Sequence, residues 1–486
     1  MLNLPLIYKI LGNLLYFEAI LLGICYGVGF WYEEANNYLT FGLPLLVAVG
    51  VGMAFHMMGV KAEPRMSRRD GFLVVGLTYL CFSIVGTLPL LIGGFETRLS
   101  AAFFEAVSGF STTGATIFDD IDSLPRSILL WRSLSQWVGG MGIVFFTIAV
   151  LPNIGSSNMK LFAAEATGLK LSKLHPRLST TARWLWGLYI LLTLFCSGVY
   201  FLLGMTPFDA INHGFTTIAT GGFSTHQASI AYFHSPGIDW AATGFMLLSG
   251  INFTLIYLMV IRGRFRTAFR DEELRLYLGT FFVAATGMAL ILYFSNHLSL
   301  EEAVRNGCFN LAALISTTGY TGVDFMDWHP TIWMILTIVG VVGGCAGSTS
   351  GGLKCIRALT VWKIIRNEFR LLIHPRAVLP VKINGTPIGS QVGRTMFVFF
   401  SVYFMLLLSS SFVMVAMGVP LLDSFSLAFS SLSNIGPTIG HAVPPTASWS
   451  GLGDGTLWLN SLLMLAGRLE IFSILLLFTP SFWKDE

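Results

Sequence analysis

Apolar stretches about 20 residues long, enough to cross the hydrocarbon core of a bilayer, recur along the whole chain. They lie near residues 6–30, 38–60, 71–93, 128–152, 184–204, 238–261, 276–295, 329–361, 395–418 and 456–479, which predicts ten spans. Shorter apolar segments at about 99–110, 207–218, 301–315 and 422–433 are too short to span and predict re-entrant helices. The eighth span is interrupted by Gly343-Gly-Cys-Ala-Gly-Ser-Thr-Ser-Gly-Gly352, five glycines in ten residues. Each glycine costs a helix roughly 1 kcal/mol relative to alanine. A broken helix is therefore expected there, which at membrane depth must line a cavity or be packed in protein.

Composition agrees with lipid as the main solvent. Of 486 residues, 54% are hydrophobic and 11% charged, against roughly 25% charged in a soluble domain. The mean hydropathy is +0.70. These values exclude a disordered chain, a collagenous fibre and a disulfide scaffold, and a net charge of +3 is too small to argue for nucleic acid. The six cysteines show no C-x-x-C spacing and read as packing residues with no metal or redox role. The nine histidines show no ligand spacing, and His213 and His441 read as packing residues near the glycine loops. The first apolar run carries no cleavage signal and is expected to be retained as a span.

Charge placement gives a direction. With a cytoplasmic N-terminus and one crossing per long span, both termini are inside and 24 of the 29 basic residues fall in inner segments. Among them are Lys160, Lys170, Lys173, Arg177 and Arg183, and the run from Lys354 to Arg394. Only Arg98, Arg126, Arg132, Arg305 and Arg468 remain outside or in the membrane. That is a strong positive-inside bias. Carboxylates such as Asp119, Asp120, Asp122, Asp209 and Asp423 collect outside, either without consequence or as a means of raising cation concentration at an entrance.

One pattern follows each short segment. Its copies are Phe110-Ser-Thr-Thr-Gly-Ala-Thr116, Thr217-Ile-Ala-Thr-Gly-Gly-Phe-Ser224, Ile315-Ser-Thr-Thr-Gly-Tyr-Thr321 and the degenerate Leu432-Ser-Asn-Ile-Gly-Pro-Thr438. The central glycines are Gly114, Gly221, Gly319 and Gly436. Each copy shares one frame: a long span, a short helix, the glycine turn and another long span. The expected fold is therefore all-α and polytopic, with a leading helix pair and four helix–loop–helix repeats in pseudo-fourfold array. The expected divisions are 1–62, 63–153, 154–262, 263–376 and 377–486. Glycine turns at membrane depth can aim backbone carbonyls at a common axis, and rings of carbonyls replace the hydration shell of a monovalent cation. The short helices would point their partially negative C-terminal ends at the same axis. The bland alternative is four hairpins that only pack.

These loops, together with Gln136-Trp-Val-Gly-Gly-Met-Gly142 and Gly250-Ile-Asn-Phe253, resemble the Trk/Ktr/HKT superfamily of potassium transporters, and most closely its TrkH-type bacterial uptake subunit. The resemblance spans essentially the full chain. It implies potassium ligation by backbone carbonyls of Thr112, Thr113, Ala219, Thr220, Thr317, Thr318, Asn434 and Ile435. Gly114, where the superfamily's sodium-preferring members carry serine, implies potassium. The resemblance makes Gly343–Gly352 a gating loop, with Gly343, Gly344, Gly347, Ser348, Thr349, Ser350, Gly351 and Gly352 in it, although a packing kink would read similarly. It makes Arg468 a positive charge in the ion path; the alternative is an arginine paired locally with loop carbonyls. It further implies a bacterial inner-membrane homodimer and a cytosolic nucleotide-binding TrkA-type ring as partner.

This chain is expected to bind no cofactor and no nucleotide, since Leu353 replaces the lysine a phosphate loop needs after Gly347 and Gly352. No H-E-x-x-H or G-x-S-x-G occurs, so no enzyme is expected. The competing functions are an ion-coupled symporter of a small organic solute, which would also use broken helices, and a sodium-permeable member of the same superfamily.

Overall fold

The computed structural model describes residues 2–63, 66–142 and 178–484. Helices α1 (Leu4–Trp31) and α2 (Leu43–Met58) pack as the leading pair. Their approach is close enough that a Cβ on Gly12 would lie 2.7 Å from the Gly52 carbonyl oxygen.

The repeating frame follows. A long helix, α3 (Arg68–Ile92), precedes the short α4 (Leu99–Phe110) and then α5 (Arg126–Gly140). The second unit runs α6 (Leu178–Leu202), short α7 (Pro207–Ile218), α8 (Pro236–Ser249) and α9 (Phe253–Val260). The third runs α10 (Glu272–Ser295), short α11 (Leu300–Ile315), α12 (Pro330–Val342) and α13 (Cys355–Ile373). The fourth runs α14 (Ser390–Ala416), short α15 (Leu421–Ser433), α16 (Asp454–Arg468) and α17 (Phe472–Leu475). A two-residue antiparallel pair, Lys382–Ile383 with Thr386–Pro387, supplies the only strands among the described residues.

Among the described residues six helices are long and apolar enough to cross a membrane, or up to eight if each bent pair is one span, against the ten expected. Sequence periodicity missed those bends. The stretch at 238–261 is α8 and α9 meeting at 107°, and the stretch at 456–479 bends by 111° beyond Arg468. The cause is local: Asn252 accepts a bond from the Thr254 N–H and starts a new helix, while Glu470 and Ile471 both have positive φ. The break foreseen in the eighth span thus recurs in the second helix of the second and fourth repeats. In the first repeat α5 ends at Gly140; the remainder of 128–152, with Lys160, Lys170, Lys173 and Arg177, lies outside the described residues.

The short helices are core elements. Every residue of α4 from Ser100 to Phe110 is buried, and nearly all of α15 likewise. Their starts are tied down by Thr206 capping α7 and by a Ser299–Glu302 capping box on α11.

Candidate functional site

Each short helix ends alike. Thr112, Thr220, Thr317 and Asn434 follow the final turns with φ of 56°, 52°, 55° and 54°. Left-handed backbone is uncommon outside glycine and costs roughly 1–2 kcal/mol per residue; such strain persists where the surroundings over-determine it, as at functional sites. Two residues on, Gly114, Gly222, Gly319 and Gly436 also take positive φ. A Cβ on Gly114 would overlap the carbonyl oxygen of Gly221, one on Gly222 that of Thr318, one on Gly319 that of Ile435, and one on Gly436 that of Thr113. The contacts run from loop one to two, three, four and back to one. Four backbone carbonyls, one per loop, close a ring.

This geometry corrects one register. In the second loop the ring glycine is Gly222 instead of Gly221, and the residues at the carbonyl positions are Thr220 and Gly221 instead of Ala219 and Thr220. Ala219 closes α7 with φ −72°. Alignment on the Thr-Gly pair was misled by two adjacent glycines, whereas the left-handed turn identifies the equivalent position. Of the other expected positions, Thr113, Thr318 and Ile435 supply the remaining carbonyls of the cycle, and Thr112, Thr317 and Asn434 are the left-handed residues directly before them.

Neighbouring elements brace it. Gln136 of α5 donates to the Gly221 carbonyl at 2.6 Å and accepts from the Phe223 N–H at 3.0 Å. Asn434 donates to the Thr113 hydroxyl at 3.0 Å and the Met464 carbonyl at 2.9 Å. Tyr320, directly after Gly319, points its hydroxyl at the Thr216 and Thr217 hydroxyls and donates to the His213 carbonyl at 3.2 Å. A buried ion pair that sequence reasoning missed joins Arg132 Nε to Glu105 at 2.8 Å. The same guanidinium reaches the Ser224 carbonyl and the Thr116 hydroxyl, both at 3.1 Å, and Glu105 also accepts from the Ile117 N–H at 2.9 Å. One pair therefore fastens α4, α5 and the first two loops. Its only signal in sequence was opposite charges inside two apolar stretches.

The glycine-rich segment packs against the ends of the short helices. The Thr349 hydroxyl donates to the Ile218 carbonyl at 3.0 Å, the Gly351 N–H to the Thr317 hydroxyl at 2.6 Å, and the Gly352 N–H to the Ser433 carbonyl at 2.9 Å. It thereby touches three of the four loops. Gly343, Gly347 and Gly352 all have positive φ, and Ser348 and Ser350 share a hydroxyl–hydroxyl bond of 2.6 Å. The Cys345 N–H donates to the Gly250 carbonyl at 2.9 Å, where α8 breaks. Arg468 donates to the Thr349 carbonyl at 2.9 Å, to Gly140 at 2.7 Å and to Gly139. Its guanidinium thus links the segment to the end of α5. Glu470 pairs with Arg357 at the start of α13.

On the opposite side of the ring, His226 bonds Asp122 at 2.6 Å and lies 3.5 Å from Asp209, stacked on Tyr232. Burial lowers the His226 pKa, but its bonds to Asp209 and Asp122 outweigh this and hold it above the ordinary value. His213 packs in the interior, its ring bonding the Asp209 carbonyl and the Ser224 hydroxyl. Among the described residues no group of three or more His, Cys, Asp or Glu is placed to hold a metal ion.

Residues 42–485 match the family model described as TrkH, cation transport protein. The Trk system potassium uptake protein TrkH of Escherichia coli K12 is 36% identical over 449 residues, 92% of each chain. TrkG of the same organism is 34% identical over 94% of each. The crystal structure of the potassium transporter TrkH from Vibrio parahaemolyticus superposes with a TM-score of 0.89 at 33% identity, covering 99% of both chains.

Proposed function

The chain belongs to the TrkH family of cation transport proteins, and from that premise we propose how it takes up potassium. The ion passes through the ring, where the carbonyls of Thr112, Thr113, Thr220, Gly221, Thr317, Thr318, Asn434 and Ile435 replace its water. The observation that carries this reading is the closed cycle of glycine–carbonyl contacts through Gly114, Gly222, Gly319 and Gly436. Potassium is the substrate, and the glycine at position 114 favours potassium over a sodium-permeable variant.

Gly343–Gly352 acts as the gate, held closed by Arg468. The carbonyl contacts of that guanidinium support the local pairing that sequence left open, and its charge still opposes a cation at the same level. Both effects have one sign: neutralising Arg468 raises flux. The face bearing the basic loops is cytoplasmic, with both termini on it, in a bacterial inner membrane. The divisions at 62/63, 262/263 and 376/377 separate the leading pair and the later repeats; the expected division at 153/154 lies outside the described residues. Two copies form a homodimer, each with its own path, and the basic segment 353–394 faces a cytosolic nucleotide-binding ring.

The deciding experiment is growth of a potassium-uptake-deficient bacterium on low potassium. The wild-type chain should rescue it; Gly114→Ser, whose Cβ meets the Gly221 carbonyl oxygen, should lose that rescue, its residual flux admitting sodium. Rescue that depends on an added organic solute would instead favour a symporter.

A further inference from the structure

The gate segment contains five glycines and no helix of its own, so its resting position depends on what holds its ends. One buried carboxylate ties the segment to the helix that follows it, bonding Ala346 inside the segment and Ile356 at the start of α13. Glu273, 6% exposed on α10, accepts from the Ala346 N–H at 2.6 Å and from the Ile356 N–H at 3.1 Å, through the same oxygen. A carboxyl group buried within protein is costly unless hydrogen-bonded, and here the bonds that satisfy it are to the segment and to α13.

The two residues before it face elsewhere. Asp271 accepts from the Asn384 side-chain amide at 2.6 Å, and the Glu272 N–H donates to the Asn384 side-chain oxygen at 2.8 Å. Asn384 and Gly385, with φ of 51° and 75°, form the two-residue turn of the Lys382–Pro387 hairpin, the Asn-Gly pattern of a stiff type I′ turn. Lys363 of α13 clamps the arrangement, bonding Glu272 and, at 2.7 Å, the Lys382 carbonyl. Three consecutive residues therefore grip the hairpin tip on one side and the gate on the other.

We infer that Glu273 is a latch for the gate and that the Lys382–Pro387 hairpin is its handle: displacing the hairpin shifts the start of α10, withdraws the carboxylate and frees the glycine segment. This rests on the gating role proposed above for Gly343–Gly352. Glu273 is a positioning residue, acting through the loop and not on the ion.

The test is rubidium uptake by the full-length protein in proteoliposomes, with the potassium-to-sodium preference recorded for each variant. Glu273→Ala should raise resting uptake about tenfold, the scale of losing charge-assisted bonds. Glu273→Gln keeps an acceptor and should raise it only about threefold. Asn384→Ala, at the exposed hairpin, should raise it about twofold to threefold, and should add nothing in the Glu273→Ala background. The ion preference should stay at the wild-type value throughout, which a general loosening of the fold would not allow. Unchanged uptake in Glu273→Ala, or fully additive effects of the two sites, overturns the latch. Alanine in place of Gly347–Gly351 tells the two claims apart. Altered flux there with a silent Glu273→Ala removes the latch alone, and unchanged flux there removes the gate with it.

Discussion

The ring of loops and the glycine segment beside it use the same materials, small residues and exposed backbone, but are held differently. The ring is braced by buried side chains that join neighbouring loops and helices directly: Gln136, Tyr320, Asn434 and the Glu105–Arg132 pair. Those groups have no water to turn to, so letting go leaves each unsatisfied. The segment is held through its own backbone by a few side chains, Arg468 donating to the Thr349 carbonyl and Glu273 accepting from the Ala346 N–H. Such contacts are lost together when one helix shifts. The contrast shows that glycine-rich backbone has no rigidity of its own; the number of neighbours that brace it decides how firmly it is fixed, which is why the proposed gate lies in the segment and not in the ring.

The most severe way to break the contrast is Gly222→Ala. It adds left-handed strain of roughly 1–2 kcal/mol and an overlap with the Thr318 carbonyl oxygen, so uptake should fall below detection in growth and rubidium assays. Gly221→Ala, whose Cβ meets the Gln136 side chain, should be milder; the reverse order would restore the register read from sequence. Next comes Arg132→Met, which leaves Glu105 charged and buried. It should destabilise the protein by about 3–5 kcal/mol in detergent unfolding, with much of that loss recovered in the double variant Arg132→Met, Glu105→Leu. Arg468→Gln should raise resting flux about tenfold while leaving ion preference intact; a changed preference would mean ring and gate are not mechanically separate. Tyr320→Phe keeps the ring and removes one hydroxyl, so it should lower the potassium-to-sodium preference about fivefold without altering resting flux.

The smallest effect concerns pH on the far side of the ring. Because the His226 pKa is raised in the folded protein, the stabilisation from its carboxylate contacts is complete below the unfolded value near 6.5. It fades as pH rises through the higher folded value. The thermal midpoint of the wild type should therefore drop across that window relative to His226→Gln. Parallel curves would remove the histidine from the bracing.

Much of this was legible in the chain. Apolar length marked the six long helices, and the four glycine turns, spaced by a common frame, marked where the short helices end. Five glycines between Gly343 and Gly352 marked the loop that packs against it. What escaped has physical reasons. Hydropathy counts apolar residues but not the direction of backbone, so the bends after Ser249 and Arg468 read as straight spans. Adjacent Gly221 and Gly222 offered two registers that only φ separates. Glu105, Arg132, Tyr320 and Glu273 take their roles from partners brought near by folding, and no local spacing records them. Glu18 is also buried in α1, without a hydrogen-bond partner among the described residues.

The cyclic contact of glycine with neighbouring carbonyl has a consequence for anyone rebuilding this protein. Each loop supplies the wall of one neighbour and is walled by another, so no quarter is a self-contained part. A chimera that imports one loop from a relative inherits two mismatched seams, while one that imports all four inherits none. The smallest exchangeable module is the whole circle.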